Sequence, residues 1–187
     1  MIDLLRELFG QVCGQGSHPA WTPGGTPLIC CQRCLGLYVG GLAAWALHLC
    51  WKPRLSRDFL AVHGALILLL APFGWHWLPE NPWLRTLTGF LCGAGIATFL
   101  WLVPATKVWR HPQLTPAKGS RKYAFGLGAA SVGLLLAVQY GGTAAAWALN
   151  WLAAAGLVAF GALAILNIMP LTAGVLPRPG QPKTRTG

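Results

Sequence analysis

Long runs of apolar residues constrain how this chain can fold more than any motif does. Charged residues make up 10 % of the 187 residues and mean hydropathy is +0.52, whereas a soluble domain carries about 25 % charged residues. This composition excludes an ordinary soluble globular protein, a disordered chain and a coiled coil. It predicts an all-α integral membrane protein, because helices surrounded by lipid can be apolar on every side.

Five apolar segments approach or exceed the length of about 20 residues that a helix needs to cross a bilayer. They are Leu35–Trp51, Phe59–Leu78, Leu84–Pro104, Tyr123–Tyr140 and Ala144–Met169. The first is slightly short, so its helix is expected to begin near Cys31. We therefore predict a polytopic bundle of about five transmembrane helices in residues 31–170. An N-terminal segment, residues 1–30, precedes the bundle, and a basic tail, residues 171–187, follows it.

Positive charges in the loops predict the orientation of this bundle. With five crossings, 11 of the 14 Lys and Arg residues fall on the side of the C-terminus, and positively charged loops stay in the cytoplasm. The C-terminus and the basic loop 105–122 are thus expected to be cytoplasmic. The N-terminal segment is expected to face the periplasm, across the inner membrane of a bacterium. The net charge of +10 is assigned to orientation and contact with anionic lipid. Nucleic-acid binding is not expected, because no basic stripe is interleaved with stacking aromatics.

Cysteine and histidine residues cluster before and at the start of the first helix. Cys13 and His18 precede a Gly/Pro-rich loop, and Cys31 and Cys34 follow it. The spacing of Cys31 and Cys34 places both on one face of a helical turn. Cys13, His18, Cys31 and Cys34 form a ligand set that suits zinc, copper or iron. We predict a metal site, structural or catalytic, on the periplasmic side.

The same thiols also suit a thiol–disulfide enzyme. A Cys-x-x-Cys pair on the oxidising side of a membrane can act as a redox device. Cys31 and Cys34 would then be the catalytic candidates, with Arg33 favouring the thiolate. Cys13 or Cys30 would be the resolving partner, and a periplasmic thiol protein would be the substrate. A purely structural disulfide is the third interpretation of these cysteines.

A thiol oxidoreductase in a membrane would pass its electrons to a quinone at the outer end of the bundle. The candidate quinone-binding residues are Arg33, Tyr38, Arg85 and His76. This enzyme would be similar to the bacterial quinone-linked proteins that generate disulfides. The segment between the second and third helices, however, contains no second cysteine pair of the kind those proteins use. The metal site is therefore the preferred interpretation.

The second cysteine pair lies in a sequence pattern of a known family. Cys31-Gln32-Arg33-Cys34-Leu35-Gly36-Leu37-Tyr38-Val39-Gly40 resembles the Cys-x-Arg-Cys-x-Gly-x-Tyr-x-Gly signature of the uncharacterised bacterial membrane proteins catalogued as domain-of-unknown-function family 2085. The family's Cys-His-Gln element is similar to Cys13-Gly14-Gln15, where glycine replaces histidine. His18 is the residue that would substitute for the family histidine. A later family element, Asn and Arg before Thr-Gly-x-x-x-Gly, is similar to Asn81, Arg85 and Thr88–Gly93. The resemblance implies a membrane location and no established activity.

Polar residues inside the predicted spans allow further functional classes. His48 and His63 near the cytoplasmic end could ligate haem iron, although hydrogen bonding between helices is the favoured interpretation. A small-solute permease, or the membrane subunit of a transporter with a cytoplasmic partner on the basic loop 105–122, remains a third class of function. Gly36-x-x-x-Gly40 and Gly89-x-x-x-Gly93 predict close packing of two helices. The sequence predicts no oligomeric state.

Overall fold

The computed structural model shows a helical chain, described for residues 7, 9–11, 13, 20–71, 81–105 and 116–172. Within these residues a 3₁₀ turn, Pro23–Gly25, precedes five α-helices. These are α1 (Gln32–Trp51), α2 (Arg57–Leu68), α3 (Pro82–Val103), α4 (Pro116–Tyr140) and α5 (Gly142–Thr172). The described part of the chain contains no strand. The expected all-α membrane bundle is therefore confirmed.

Four of the helices are long and apolar enough to cross a membrane. They are α1, α3, the Gly119–Tyr140 part of α4 and the Gly142–Met169 part of α5, and they correspond to four of the predicted spans. The remaining predicted span, Phe59–Leu78, is described only in part, because α2 ends at Leu68 and residues 72–80 lie outside the described residues. Five crossings thus stay a prediction.

The directions of α1 and α3 bear on that prediction. Arg33 lies beside Gly89 at the start of the two helices, and His48 lies beside Thr98 further along both. The two helices therefore run parallel. The chain that joins them has to return to the end of the bundle where α1 begins, and α2 runs in that direction.

Capping residues explain where the helices begin. Cys31 is the N-cap of α1, with extended backbone (φ −68°, ψ 163°), as the expected start near this residue requires. The Oδ1 atom of Asn81 accepts hydrogen bonds from the N–H groups of Trp83 at 2.9 Å and Leu84 at 3.4 Å. Asn81 thereby caps α3, which satisfies N–H groups that would otherwise lack partners at the helix end.

The predicted glycine contact joins α1 to α3. A Cβ atom added at Gly36 or Gly40 would overlap the carbonyl oxygen of Thr86 or Phe90, and one added at Gly89 or Gly93 would overlap the backbone of α1. The two backbones therefore touch without intervening side chains. This contact between small residues is the way helices associate in lipid, where apolar burial adds little.

The outer surface of the bundle is apolar. Phe125 on α4 is 79 % exposed, and Val158 and Ile165 on α5 are also largely exposed. Because these side chains belong to helices apolar enough to span a membrane, their surroundings are lipid tails. The chain is thus a multi-pass membrane protein in contact with the bilayer.

Candidate metal centre

Two long-range hydrogen bonds hold the segment before α1 against the ends of other helices. The indole N–H of Trp21 donates to Oγ1 of Thr86 on α3 at 2.8 Å. The backbone N–H of Ile29 donates to Oδ1 of Asn150 on α5 at 3.0 Å. These bonds fix the chain immediately before Cys31, where α1 begins.

The structure brings the sulfur atoms of Cys13, Cys31 and Cys34 together. All three Sγ atoms lie within 4.8 Å of one another, and the backbone N–H of Cys31 donates to Sγ of Cys13 at 3.5 Å. The position of Cys13 is set by its own N–H, which donates to the carbonyl oxygen of Phe9 at 2.7 Å. The ring of Phe9 packs edge-on against Tyr38 of α1, with 5.3 Å between ring centroids.

This sulfur cluster, Cys13, Cys31 and Cys34, fits a single metal ion. Zinc–sulfur bonds of about 2.3 Å in tetrahedral geometry place sulfur atoms about 3.8 Å apart, which small side-chain adjustments reach from the observed spacing. Cys13 and Cys31 are buried and Cys34 is half-buried. All six cysteines of the chain are free thiols. The donors are soft, so they match zinc, copper(I) or iron.

Protons are shared unequally within the cluster. A hydrogen bond from the Cys13 side chain lowers the pKa of Cys31 below its ordinary value, and the same bond is the main cause that raises the pKa of Cys13. The positive end of the α1 dipole also favours a thiolate at this position. Of the two thiols, Cys31 is therefore the one that favours the thiolate, whereas Cys13 favours a proton that a metal ion would displace.

Cys30 is next to the cluster but is not part of it. It is 1 % exposed, and burial raises the pKa of its thiol well above the ordinary value. A neutral, enclosed thiol of this kind behaves as a small apolar side chain. The structure thus selects Cys13, rather than Cys30, as the neighbour of the Cys31–Cys34 pair.

The other predicted site residues are His18, Arg33, Tyr38, His76 and Arg85. His18 and His76 lie outside the described residues. Tyr38 is buried one turn below Cys34, between the rings of Phe9 and Phe160. Arg33 is half-buried at the start of α1, and Arg85 is buried in the first turn of the parallel α3. The predicted quinone candidates therefore include buried, packed residues at the cysteine end of the bundle.

A polar network at the other end of the bundle joins four helices. His48 Nε2 lies 3.0 Å from Oγ1 of Thr98, which lies 3.3 Å from the hydroxyl of Tyr123. That hydroxyl lies 3.2 Å from Nε2 of His63, whose Nδ1 lies 2.8 Å from the carbonyl oxygen of Phe59. The histidines thus bond between helices, as we favoured over haem ligation. Thr98 and Tyr123 were not predicted, because their one signal in the sequence is a hydroxyl in an apolar segment.

Comparison with protein families agrees with the sequence motif. Residues 13–99 match the family model described as a predicted membrane protein (DUF2085). The resemblance to DUF2085 is confirmed. All three residues of the sulfur cluster, and the glycine contact between α1 and α3, fall within the DUF2085 match. Searches of the curated proteins and of the solved structures find no match.

Proposed function

We propose that Cys13, Cys31 and Cys34 bind one soft or borderline metal ion, with His18 as the fourth ligand. The observation that carries the proposal is the convergence of three thiols, one of which, Cys13, lies 18 residues before Cys31 in the sequence. Zinc is the preferred ion, because three thiolates and one imidazole form a common tetrahedral set. Copper(I) and iron suit the same donors.

The proposed location of the N-terminal segment supports metal binding by the sulfur cluster. We propose that the chain lies in a bacterial cytoplasmic membrane with its N-terminal segment in the periplasm. Free thiols there tend to oxidise, whereas a bound metal ion would keep Cys13, Cys31 and Cys34 as thiolates. The ion would also tie the segment before α1 to the first turn of that helix.

The fourth ligand decides what the ion does. If His18 binds it, the site is closed and stabilises the fold, as structural zinc sites do. If water takes that position, the ion supplies Lewis-acid chemistry. Replacement of His18 by Ala separates these cases, because a closed site would lose metal affinity and an open one would not.

Metal content of the purified protein tests the proposal. The chain is extracted in mild detergent without chelator and analysed by elemental mass spectrometry. We expect about one metal ion per chain, lost in Cys13→Ser, Cys31→Ser and Cys34→Ser. Cys30→Ser is the matched control and should keep the metal, because Cys30 is as buried as Cys13 and Cys31 but lies outside the cluster. A folded wild-type chain without metal, or equal loss in the Cys30 variant, would contradict the proposal.

A thiol–quinone oxidoreductase is the second candidate, favoured by the low pKa of Cys31 beside two further thiols. In that reaction Cys31 and Cys34 would lose two protons and two electrons to a quinone and form a disulfide. Quinol would be produced in equal amount. A free-thiol count before and after quinone addition tests it. An unchanged count would exclude this candidate, and a count lowered by two would displace the metal proposal.

The third class of function, transport, can be tested at the basic loop 105–122, where a soluble partner would dock. Residues 106–115 of that loop lie outside the described residues. Co-purification of a soluble ATPase that is lost when Lys107 and Arg110 are neutralised would support a transporter subunit.

A further inference from the structure

A cavity of about 550 Å³ lies between α2 and α4. Its outer part is lined by exposed apolar residues such as Val62, and its inner part by the buried His63 and Tyr123. Ser56 and Asp58 line it near the start of α2. It therefore opens on the apolar surface of the bundle and has a polar inner end, which is the form of a pocket for an amphipathic molecule.

The network at the inner end of this cavity contains more hydrogen-bonding contacts than protons. The contacts are Thr98–Ala94 O, His48–Thr98, Thr98–Tyr123, Tyr123–His63 and His63–Phe59 O, which makes five. Two hydroxyls and two neutral imidazoles supply at most four protons to them. One contact is therefore without a proton.

Donor assignment places this deficit next to the cavity. Carbonyl oxygens only accept, so Nδ1 of His63 donates to Phe59 and the hydroxyl of Thr98 donates to Ala94. His48 Nε2 then donates to Thr98. The single proton of Tyr123 can reach either Thr98 or Nε2 of His63. An unused lone pair remains on His63 or on Tyr123, and both residues line the cavity.

We infer that this cavity binds a quinol, an amphipathic molecule whose phenolic hydroxyl donates the missing hydrogen bond to the His63–Tyr123 pair. The aromatic head is favoured because the ring of Phe59, 4.2 Å from that of His63 and 5.3 Å from that of Tyr123, also lines the cavity. The apolar mouth would hold the hydrocarbon tail. A quinone has only acceptor oxygens at its head, so the site discriminates against it.

This site is separate from the sulfur cluster. Cys31 and His48 lie about 25 Å apart along α1 at 1.5 Å per residue, so the two sites occupy opposite ends of the bundle. The inference does not depend on metal binding. A second cavity, of about 380 Å³ and lined by α1, α4 and α5, has only aliphatic residues and glycine among its lining residues, and it offers no comparable polar end.

Thermal stabilisation by added ligand tests the inference on wild-type protein in mild detergent under anaerobic conditions. Ligands that bind the folded state raise the melting temperature according to their affinity. Decylubiquinol should bind about tenfold more tightly than decylubiquinone, the value of one good hydrogen bond. The dimethyl ether of the quinol, which has the same ring without a donor, should bind as weakly as the quinone. Equal binding of all three compounds would overturn the inference.

A matched pair of variants locates the effect. His63→Leu leaves three contacts and three protons, so the deficit and the quinol preference should disappear. His48→Leu leaves four contacts and three protons, so the preference should persist. If His63→Leu does not fold, the comparison of quinol with its dimethyl ether still decides. Equal stabilisation by phosphatidylglycerol, another hydroxyl donor, would assign the site to a lipid headgroup and overturn the quinol assignment.

Discussion

Substitution of Gly40 by Ala perturbs the close backbone contact between α1 and α3. The added Cβ would stand 2.7 Å from the backbone C and Cα atoms of Phe90 on α3, whereas non-bonded carbon atoms prefer about 3.5–4.0 Å. Both partners are helix backbone, so no side chain can rotate away. α1 and α3 would have to separate by about 1 Å.

This separation has two costs. Overpacking of a close contact costs about 1–3 kcal/mol, and a backbone contact belongs at the upper end of that range. The bond between His48 and Thr98, 3.0 Å long, joins the same helices two turns further on and would be stretched, at a cost of about 0.6–1.7 kcal/mol. Together these costs come to about 4 kcal/mol, and the higher helix propensity of Ala offsets about 1 kcal/mol of them. We therefore expect Gly40→Ala to lower the free energy of unfolding by about 3 kcal/mol.

Unfolding in mixed detergent, followed by circular dichroism, measures this change. Gly161→Ala in α5 is the matched control, because a Cβ atom added there meets nothing within 4 Å. It should change the free energy of unfolding by less than about 1 kcal/mol, with any effect stabilising, because Ala favours helix over Gly. If the Gly40 variant unfolds like the Gly161 variant, the parallel packing of α1 on α3 is wrong.

The hydrogen bonds and charges described above predict the pH dependence of metal binding, the stability of the polar network and the rate of metal loss. Metal affinity should rise with pH by about tenfold per pH unit for each proton displaced. At least one proton is displaced, because the pKa of Cys13 is raised and its thiol is protonated at neutral pH. Calorimetric titrations at two pH values measure this dependence, and a pH-independent affinity would contradict it. Tyr123→Phe should lower the free energy of unfolding, measured in detergent, by about 1–2 kcal/mol. Tyr140→Phe is the control and should leave it unchanged, because Tyr140 is 77 % exposed. Equal values for the two variants would show that the network adds no stability. Trp21→Phe should speed metal loss to a chelator, because it removes the hydrogen bond to Thr86 that holds the segment before α1. Trp151→Phe, on the exposed face of α5, should not change the rate. Equal rates of metal loss would refute this anchoring role of Trp21.

The bundle was predictable because a helix that crosses lipid has to be apolar along most of its length. Apolar runs located four helices that the structure confirms, and the paired glycines located the contact between α1 and α3. Both features depend only on spacing within a single helix. The second span was predicted at 20 residues, of which α2 covers the first part.

The candidate sites were predictable only where local geometry decides. Cys31 and Cys34 share a face of one helical turn, so their proximity follows from their spacing. The predicted metal-ligand set already included Cys13, but spacing alone left Cys30 as an alternative neighbour, and the fold of the segment before α1 is what brings Cys13 to the pair. The contact between His63 and Tyr123 joins residues 60 positions apart and depends on how two helices are rotated, which spacing within either helix does not determine.

The most direct measurement is X-ray absorption at the metal K-edge of the protein as purified. For zinc in the sulfur cluster, we expect about three sulfur neighbours at about 2.3 Å and one nitrogen at about 2.0–2.1 Å. Cys30→Ser should leave this spectrum unchanged. A coordination shell of nitrogen and oxygen alone, or a folded protein that holds no metal, would contradict the assignment of Cys13, Cys31 and Cys34 as ligands.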